Sequence, residues 1–419
     1  MYEKITLPNG VRIVFEHIPY VRSVSMGIWV GTGSRFETAK ENGASHYIEH
    51  MLFKGTANRT AAEIAWESDS IGGQINAFTT RECTCFYGRV LDTHLGQLTD
   101  ILCDMFFNSN FSEEDVESER GVIFEEIDMY EDTPDDLVSE RHFSAVFKGS
   151  SLARPVLGTK KTLSAMTSES LKTYMREHYD AGSVVIALSG SFTSADIDRI
   201  AASFGSLEKK KNNKLKAAVY KPAIVTKRKN IEQNHICIGF PGISIASEDR
   251  FAFVMMSSIL GGSMSSRLFQ TVREDKGLCY SIYSYCSNYY KEGIFSVYTA
   301  LSRDTEEKAV RLIKDVITDF TDKGVTDDEV RCVCEQAKSN ILMGLESTST
   351  RMHRLGRGEL FSGRTQDVDE ICAAYDRITK EDIKRLAETH LDFNNVSFSA
   401  VGKTGTADYY GEILGVDNI

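Results

Sequence analysis

MTSESLKTYMREHYDAGSVVIALSG, residues 166–190, returns 212 positions later as ITKEDIKRLAETHLDFNNVSFSAVG, residues 378–402. The two stretches share Thr167 with Thr379, Glu169 with Glu381, Lys172 with Lys384, His178 with His390, Asp180 with Asp392, Val184 with Val396 and Gly190 with Gly402. Each reads as a threonine-capped helix followed by an apolar strand that ends in glycine. A second match, FSEEDVE from Phe111 against VTDDEVR from Val325, has an offset of 214. Two matches at nearly one offset in 419 residues describe a duplication rather than an array of short repeats.

Outward from that pair, apolar runs such as Val11 to Phe15, Val24 to Val30 and Val184 to Leu188 read as strands among amphipathic helices. The expected fold class is therefore α+β, in two homologous halves. GSLEKKKNNKLKAAVYKP, from Gly205 to Pro222, carries a Lys/Asn run and few apolar residues, as a solvated connection does. The expected domains are 1–210 and 223–419, joined by a linker over 211–222.

Composition narrows the function. A 42% hydrophobic, 26% charged chain with 6 Pro is that of a folded globular protein. Its formal net charge of −12 argues against a protein built to neutralise phosphates, so no nucleic acid is expected. The start, MYEKITLPNG, resembles no leader, and no apolar run approaches 18 residues. No membrane partner and a cytoplasmic location are expected. Nine cysteines, an odd number scattered from Cys83 to Cys372, read as reduced thiols.

Residues 46–50 spell His-Tyr-Ile-Glu-His, an H-x-x-E-H order. On a helix His46 and His50, four apart, stack on one face, and Glu49 projects beside them. Two imidazoles can hold a zinc ion, while the neighbouring carboxylate is placed to take a proton from water. Ser45 or Asn42 is expected to cap this helix and Gly55 to end it. Such a site needs a further protein ligand, commonly a carboxylate. The helix opened by Ser112 and Asp115 has an apolar stripe of Val116, Val122, Ile123, Ile127 and Tyr130, and Glu119 and Glu126, two turns apart, lie on or beside it. A carboxylate facing a core needs a partner, and a metal would be one. The repeat acts as a control: at an offset of 214 the counterparts of Glu119 and Glu126 are Val333 and Asn340, and no H-x-x-E-H follows residue 50.

These residues resemble the pitrilysin and insulinase family of zinc peptidases, in its processing-peptidase branch. The resemblance covers the whole chain: LPNGVRIV, GASHYIEHMLFKGT, GGQINAFTT, ERGVIFEEI and GGSMSSRLFQTVREDKGLCYSIYS. It implies His46, His50 and Glu126 as ligands of one Zn2+ per chain, Glu49 as general base, and Glu119 as a supporting carboxylate. It further implies Arg273 and Tyr280, in REDKGLCY, as substrate anchors, although Cys279 stands where the branch more often has Ala. Asn76, Ala77 and Phe78 match the family's edge strand, able to accept an extended peptide through main-chain hydrogen bonds. The family's halves close as a clamshell around a chamber, so the implied substrates are peptides or extended segments. Both motifs in one chain favour a homodimer. The implied activity is a zinc endopeptidase, with a catalytically silent scaffold subunit of the same family as the alternative and a non-peptide hydrolase as a third reading. The remaining seven histidines, His17, His94, His142, His178, His235, His353 and His390, are read as structural or exposed.

Overall fold

A computed structural model describes residues 2–210 and 215–416; linker positions 211–214 lie outside the described residues. Strands β1 (Glu3–Thr6), β2 (Arg12–His17), β3 (Ser23–Val30), β4 (Gln74–Thr79), β5 (Thr84–Leu91) and β6 (Val184–Gly190) form one sheet. Its order is β1-β2-β6-β3-β5-β4. Strands β7 (Ile224–Arg228), β8 (Asn234–Pro241), β9 (Cys279–Asn288), β10 (Gly293–Leu301) and β11 (Ser397–Gly402) form the second, in the order β7-β11-β8-β10-β9.

With β1 set aside, both sheets follow one plan. The strand before the central hairpin partners runs parallel to the last strand of its half, β2 with β6 and β7 with β11, and the remaining pairs are antiparallel. The duplication read from residues 166–190 and 378–402 is thus a repeat of topology as well as of sequence. Both helices of that repeat start where their threonines predict: Thr167 caps Ser168–His178 and Thr379 caps Lys380–His390.

Strands buried on both faces need two layers of cover. In the first sheet Ile13, Met26 and Ile28 face one core, together with Tyr47, Ile48, Leu98, Ile123 and Leu171 from helices. Val14, Trp29, Cys85, Val185 and Ala187 face the other way, and there the cover is Met352, Leu355 and Leu360 from the helix Thr348–Ser362. Approach is close enough that a Cβ on Gly356 would lie 2.1 Å from Trp29 Nε1, and one on Gly27 would lie 2.5 Å from Met352 Sδ. The second sheet repeats this: Cys237, Tyr298, Ala300 and Val401 are covered by Leu137 and Val138 of the helix Pro134–Val146.

The compact units are consequently not the contiguous halves 1–210 and 223–419 expected from the repeat. One unit comprises Met1–Ile127, Arg154–Lys216 and Leu342–Asp367; the other comprises Asp128–Ala153, Ala217–Ile341 and Val368–Ile419. Each takes one covering helix from the other half of the sequence, because the helices local to each sheet occupy only one of its two apolar faces. The structure is α+β in two such units, all nine cysteines are free, and no helix among the described residues is long and apolar enough to cross a membrane.

Candidate metal centre

The helix Ala44–Met51 carries the H-x-x-E-H residues, with Tyr47, Ile48 and Met51 fully buried beneath them. Its start differs from expectation. Neither Ser45 nor Asn42 caps it; the N-cap is Gly43 at φ 101°, and the acceptor comes from Glu37, earlier in the chain. Glu37 Oε2 accepts from Gly43 N–H at 2.8 Å and Asn42 Nδ2 at 3.0 Å, while Oε1 accepts from Ser45 N–H at 2.8 Å. A carboxylate there satisfies orphan amides and complements the positive end of the helix dipole. The helix also stops at Met51, four residues before the expected Gly55.

The second helix, Glu113–Asp132, opens as predicted, with Ser112 Oγ accepting from Asp115 N–H at 3.1 Å. Its apolar stripe is shorter than expected: Val116 and Ile123 are buried, whereas Val122 and Tyr130 are exposed. Tyr47 Oη donates to the Val116 carbonyl and ties the two helices together.

Across that contact the side chains of His46, His50 and Glu126 converge. The two Nε2 atoms are 3.3 Å apart, and Glu126 Oε2 lies 3.5 Å from His46 Nε2 and 3.6 Å from His50 Nε2. Tetrahedral bonds of ~2.0–2.1 Å place ligand atoms ~3.3–3.4 Å apart, so the triangle has the edge lengths of three such ligands. Among the described residues these three are the group of His, Cys, Asp or Glu side chains able to hold a metal ion together.

Glu119 does not join the triangle; it stands behind it. Its Oε1 accepts from His50 Nδ1 at 2.8 Å and its Oε2 pairs with Lys54 Nζ. A proton held on Nδ1 leaves the Nε2 lone pair free to ligate. Burial lowers the His50 pKa, but hydrogen bonds to Glu119 and Glu126 outweigh it and the value rises to about 9. His46 goes the other way: burial, then the neighbouring His50, take it down to about 4, and its Nδ1 has no protein partner. Glu49 is half-buried, with an Oε2 that finds no hydrogen-bond partner; desolvation raises its pKa and the Thr79 hydroxyl partly offsets this.

Thr79 belongs to β4, the edge strand of its sheet, together with Asn76, Ala77 and Phe78. Asn76 is exposed, and Phe78 packs edge-on to Trp29 at 5.6 Å. Arg273 and Tyr280 belong to the other unit and are brought together there. Arg273 lies in the π-helical turn Phe269–Asp275, its guanidinium 5.2 Å from the Tyr280 ring and 4.4 Å from that of Phe269, and Tyr280 is 76% exposed. Sequence reading missed Glu37, Lys54 and Thr79. Only Lys54 left a local signal, since it stands four residues after His50.

Residues 12–160 match the family model of the insulinases, peptidase family M16, and residues 165–336 that of the peptidase M16 inactive domain. The chain is 42% identical over 388 residues, 92% of its length and 95% of the relative's, to a Bacillus subtilis protein named uncharacterized zinc protease YmxG. The chain belongs to the insulinase family, M16. A Streptomyces coelicolor relative, also named an uncharacterized zinc protease, is 39% identical over 95% of this chain and 89% of its own length. The solved M16 inactive domain from Pseudomonas fluorescens shares the fold, with a TM-score of 0.88 at 20% identity over 97% of this chain and 99% of that one. Membership in M16 makes the chain a peptidase-family hydrolase, and zinc is the metal for which its relatives are named.

Proposed function

We propose that this M16 chain is a zinc-dependent peptidase that cuts within extended peptide segments, with one ion held by His46, His50 and Glu126. The observation that carries the reading is the 3.3–3.6 Å triangle of two imidazole nitrogens and one carboxylate oxygen. A divalent ion bound there supplies Lewis acidity, bringing the ionisation of water towards neutral pH and polarising a carbonyl. Glu49 takes the proton from the attacking water and returns it to the leaving nitrogen; its desolvated, partner-poor carboxylate is suited to both steps. Glu119, held by Lys54, keeps the proton of His50 on Nδ1 and the ring in its ligating orientation.

Substrate binding is assigned to β4 and to the Arg273–Tyr280 pair. An edge strand offers unpaired main-chain groups to an extended peptide at Asn76, Ala77 and Phe78, which gives affinity with little sequence dependence. Arg273 and exposed Tyr280 are donors for substrate carbonyls. The processing-peptidase branch, a homodimeric state and a cytoplasmic location complete the proposal.

Mass-spectrometric mapping of cuts in a mixed peptide library, with and without chelator, tests it. Internal cuts that vanish on chelation and return with Zn2+ are expected; cuts confined to chain ends would remove the endopeptidase part. Glu49→Gln should retain the metal and lose about 10²–10⁴-fold in rate. Full activity in a metal-loaded Glu49→Gln protein would overturn the mechanism. A protein that holds no metal and cuts nothing would instead be a scaffold subunit.

A further inference from the structure

The corner where β7 and β11 end is built differently from its counterpart in the first half. Both corners have the same backbone: β2 pairs with β6 so that His17 stands opposite Gly190, and β7 with β11 so that Arg228 stands opposite Gly402. The next amide donates to the glycine carbonyl in each, Ile18 N–H to Gly190 at 2.8 Å and Lys229 N–H to Gly402 at 2.9 Å. Two residues past the glycine the copies diverge. Phe192 closes the first corner, its ring 5.2 Å from that of His17 and 5.9 Å from that of Phe15. Thr404 occupies the matching place in the second, where a cavity of about 360 Å³ opens.

The cavity is lined by Arg228, Lys229, Arg303, Lys403 and Thr404. Thr404 is 4% exposed and its hydroxyl oxygen is buried with no hydrogen-bond partner. A buried hydroxyl left unpaired is costly, and the residue that carries it is one of those lining the cavity. Lys229 is held by Asp132 at 3.1 Å, but Arg228, Arg303 and Lys403 are exposed and make no salt bridge among the described residues. Other arginines of this acidic chain are held on carboxylates, as Arg59 is on Asp104 and Arg267 on Glu329; what sets this corner apart is that three exposed cations stand around one cavity. Three cations without carboxylate partners among the described residues, gathered around one cavity, indicate a ligand that brings the negative charge.

We propose that this corner binds a phosphate group, either inorganic phosphate or the phosphate of a small monoester. Two guanidinium groups can meet phosphate oxygens in paired hydrogen bonds, with the Lys403 ammonium completing the shell and the Thr404 hydroxyl within reach once its side chain turns towards the anion. No aromatic side chain lines the cavity, so nothing there would stack a base, and recognition rests on the anion.

Calorimetric titration of the full chain with inorganic phosphate, and separately with glycerol 3-phosphate, at ~0.15 M salt tests the site where long-range surface attraction is screened. One saturable site per chain is expected for at least one of the two probes, and the tighter probe identifies the source of the group. Arg228→Gln and Arg303→Gln, both at exposed positions, should each weaken binding by about tenfold. Thr404→Phe, which restores the plug of the first half, should abolish it. His46→Gln serves as the control for anion binding at the metal centre and should leave the affinity unchanged. No saturable binding of either probe, equal affinity in wild type and Arg303→Gln, or a loss confined to His46→Gln would overturn the proposal. Should Thr404→Phe fail to fold, the two arginine variants decide alone.

Discussion

Glu119 uses one oxygen for His50 and the other for Lys54, so the ammonium fixes the carboxylate that fixes the imidazole. Removing it frees Glu119 to turn. Lys54→Gln is therefore expected to weaken metal affinity by about 10–100-fold, read by competition with a chromogenic chelator, while Lys54→Arg keeps most of it. Unchanged affinity in Lys54→Gln would reduce the ion pair to a surface contact. Glu37 acts at the other end of the same helix, where its buried carboxylate satisfies two backbone amides and Asn42. Leaving those donors unpaired in Glu37→Ala should cost about 2–4 kcal/mol, seen as a lower urea midpoint, with Glu37→Gln falling between. Spacing made His46, Glu49, His50, Glu119 and Glu126 legible, because i to i+4 and i to i+7 relations survive in a linear string. Glu37 reaches amides six and eight residues on across a non-helical turn, and Thr79 meets Glu49 from another element, and neither spacing is a periodic one.

At the scale of elements, the helix Pro134–Val146 lies so close to β8 that a Cβ on Gly239 would stand 2.1 Å from His142 Cε1. Gly239→Ala should displace the helix and lower the melting temperature. His142 itself is fully buried, its Nε2 2.6 Å from Ser397 Oγ, and burial takes its pKa down to about 3. An unfolded chain protonates this imidazole near pH 6.5. Between pH 6.5 and 3 the unfolded state binds a proton that the native state refuses, so stability falls as pH falls, by up to about 1.4 kcal/mol per pH unit; above 6.5 the effect is absent. Urea midpoints measured from pH 7.5 to 4.5 should show a shallower acid slope in His142→Gln, and an identical slope would exclude His142 as its source. The threonine caps were legible because a side-chain oxygen bonding an amide three residues on is a local event. The short apolar stripe of Glu113–Asp132 was not, since periodicity marks a face without showing whether anything covers it.

For the whole molecule, the duplication was legible and the exchange of covering helices was not. Self-comparison finds like residues at one offset; it cannot tell which sheet an amphipathic helix will cover. The consequence is measurable. Met352, Leu355 and Leu360 are buried against the first sheet, each contributing ~1.5–3 kcal/mol, against a net stability of only ~5–15 kcal/mol for a domain. A fragment of residues 1–210 should lack a cooperative thermal transition, and co-expressed residues 342–367 should co-purify with it and restore one. Independent cooperative melting of 1–210 would show that the exchanged helix is dispensable. The same arrangement sets a timetable on the ribosome. Trp29 and Val185 emerge early, but the helix that shelters them is complete only at Ser362, about 150 residues after the fragment boundary, a wait of about 10–30 s at ordinary elongation rates. During that interval the nascent chain presents an uncovered apolar sheet face, so its maturation is timed by translation and invites a chaperone.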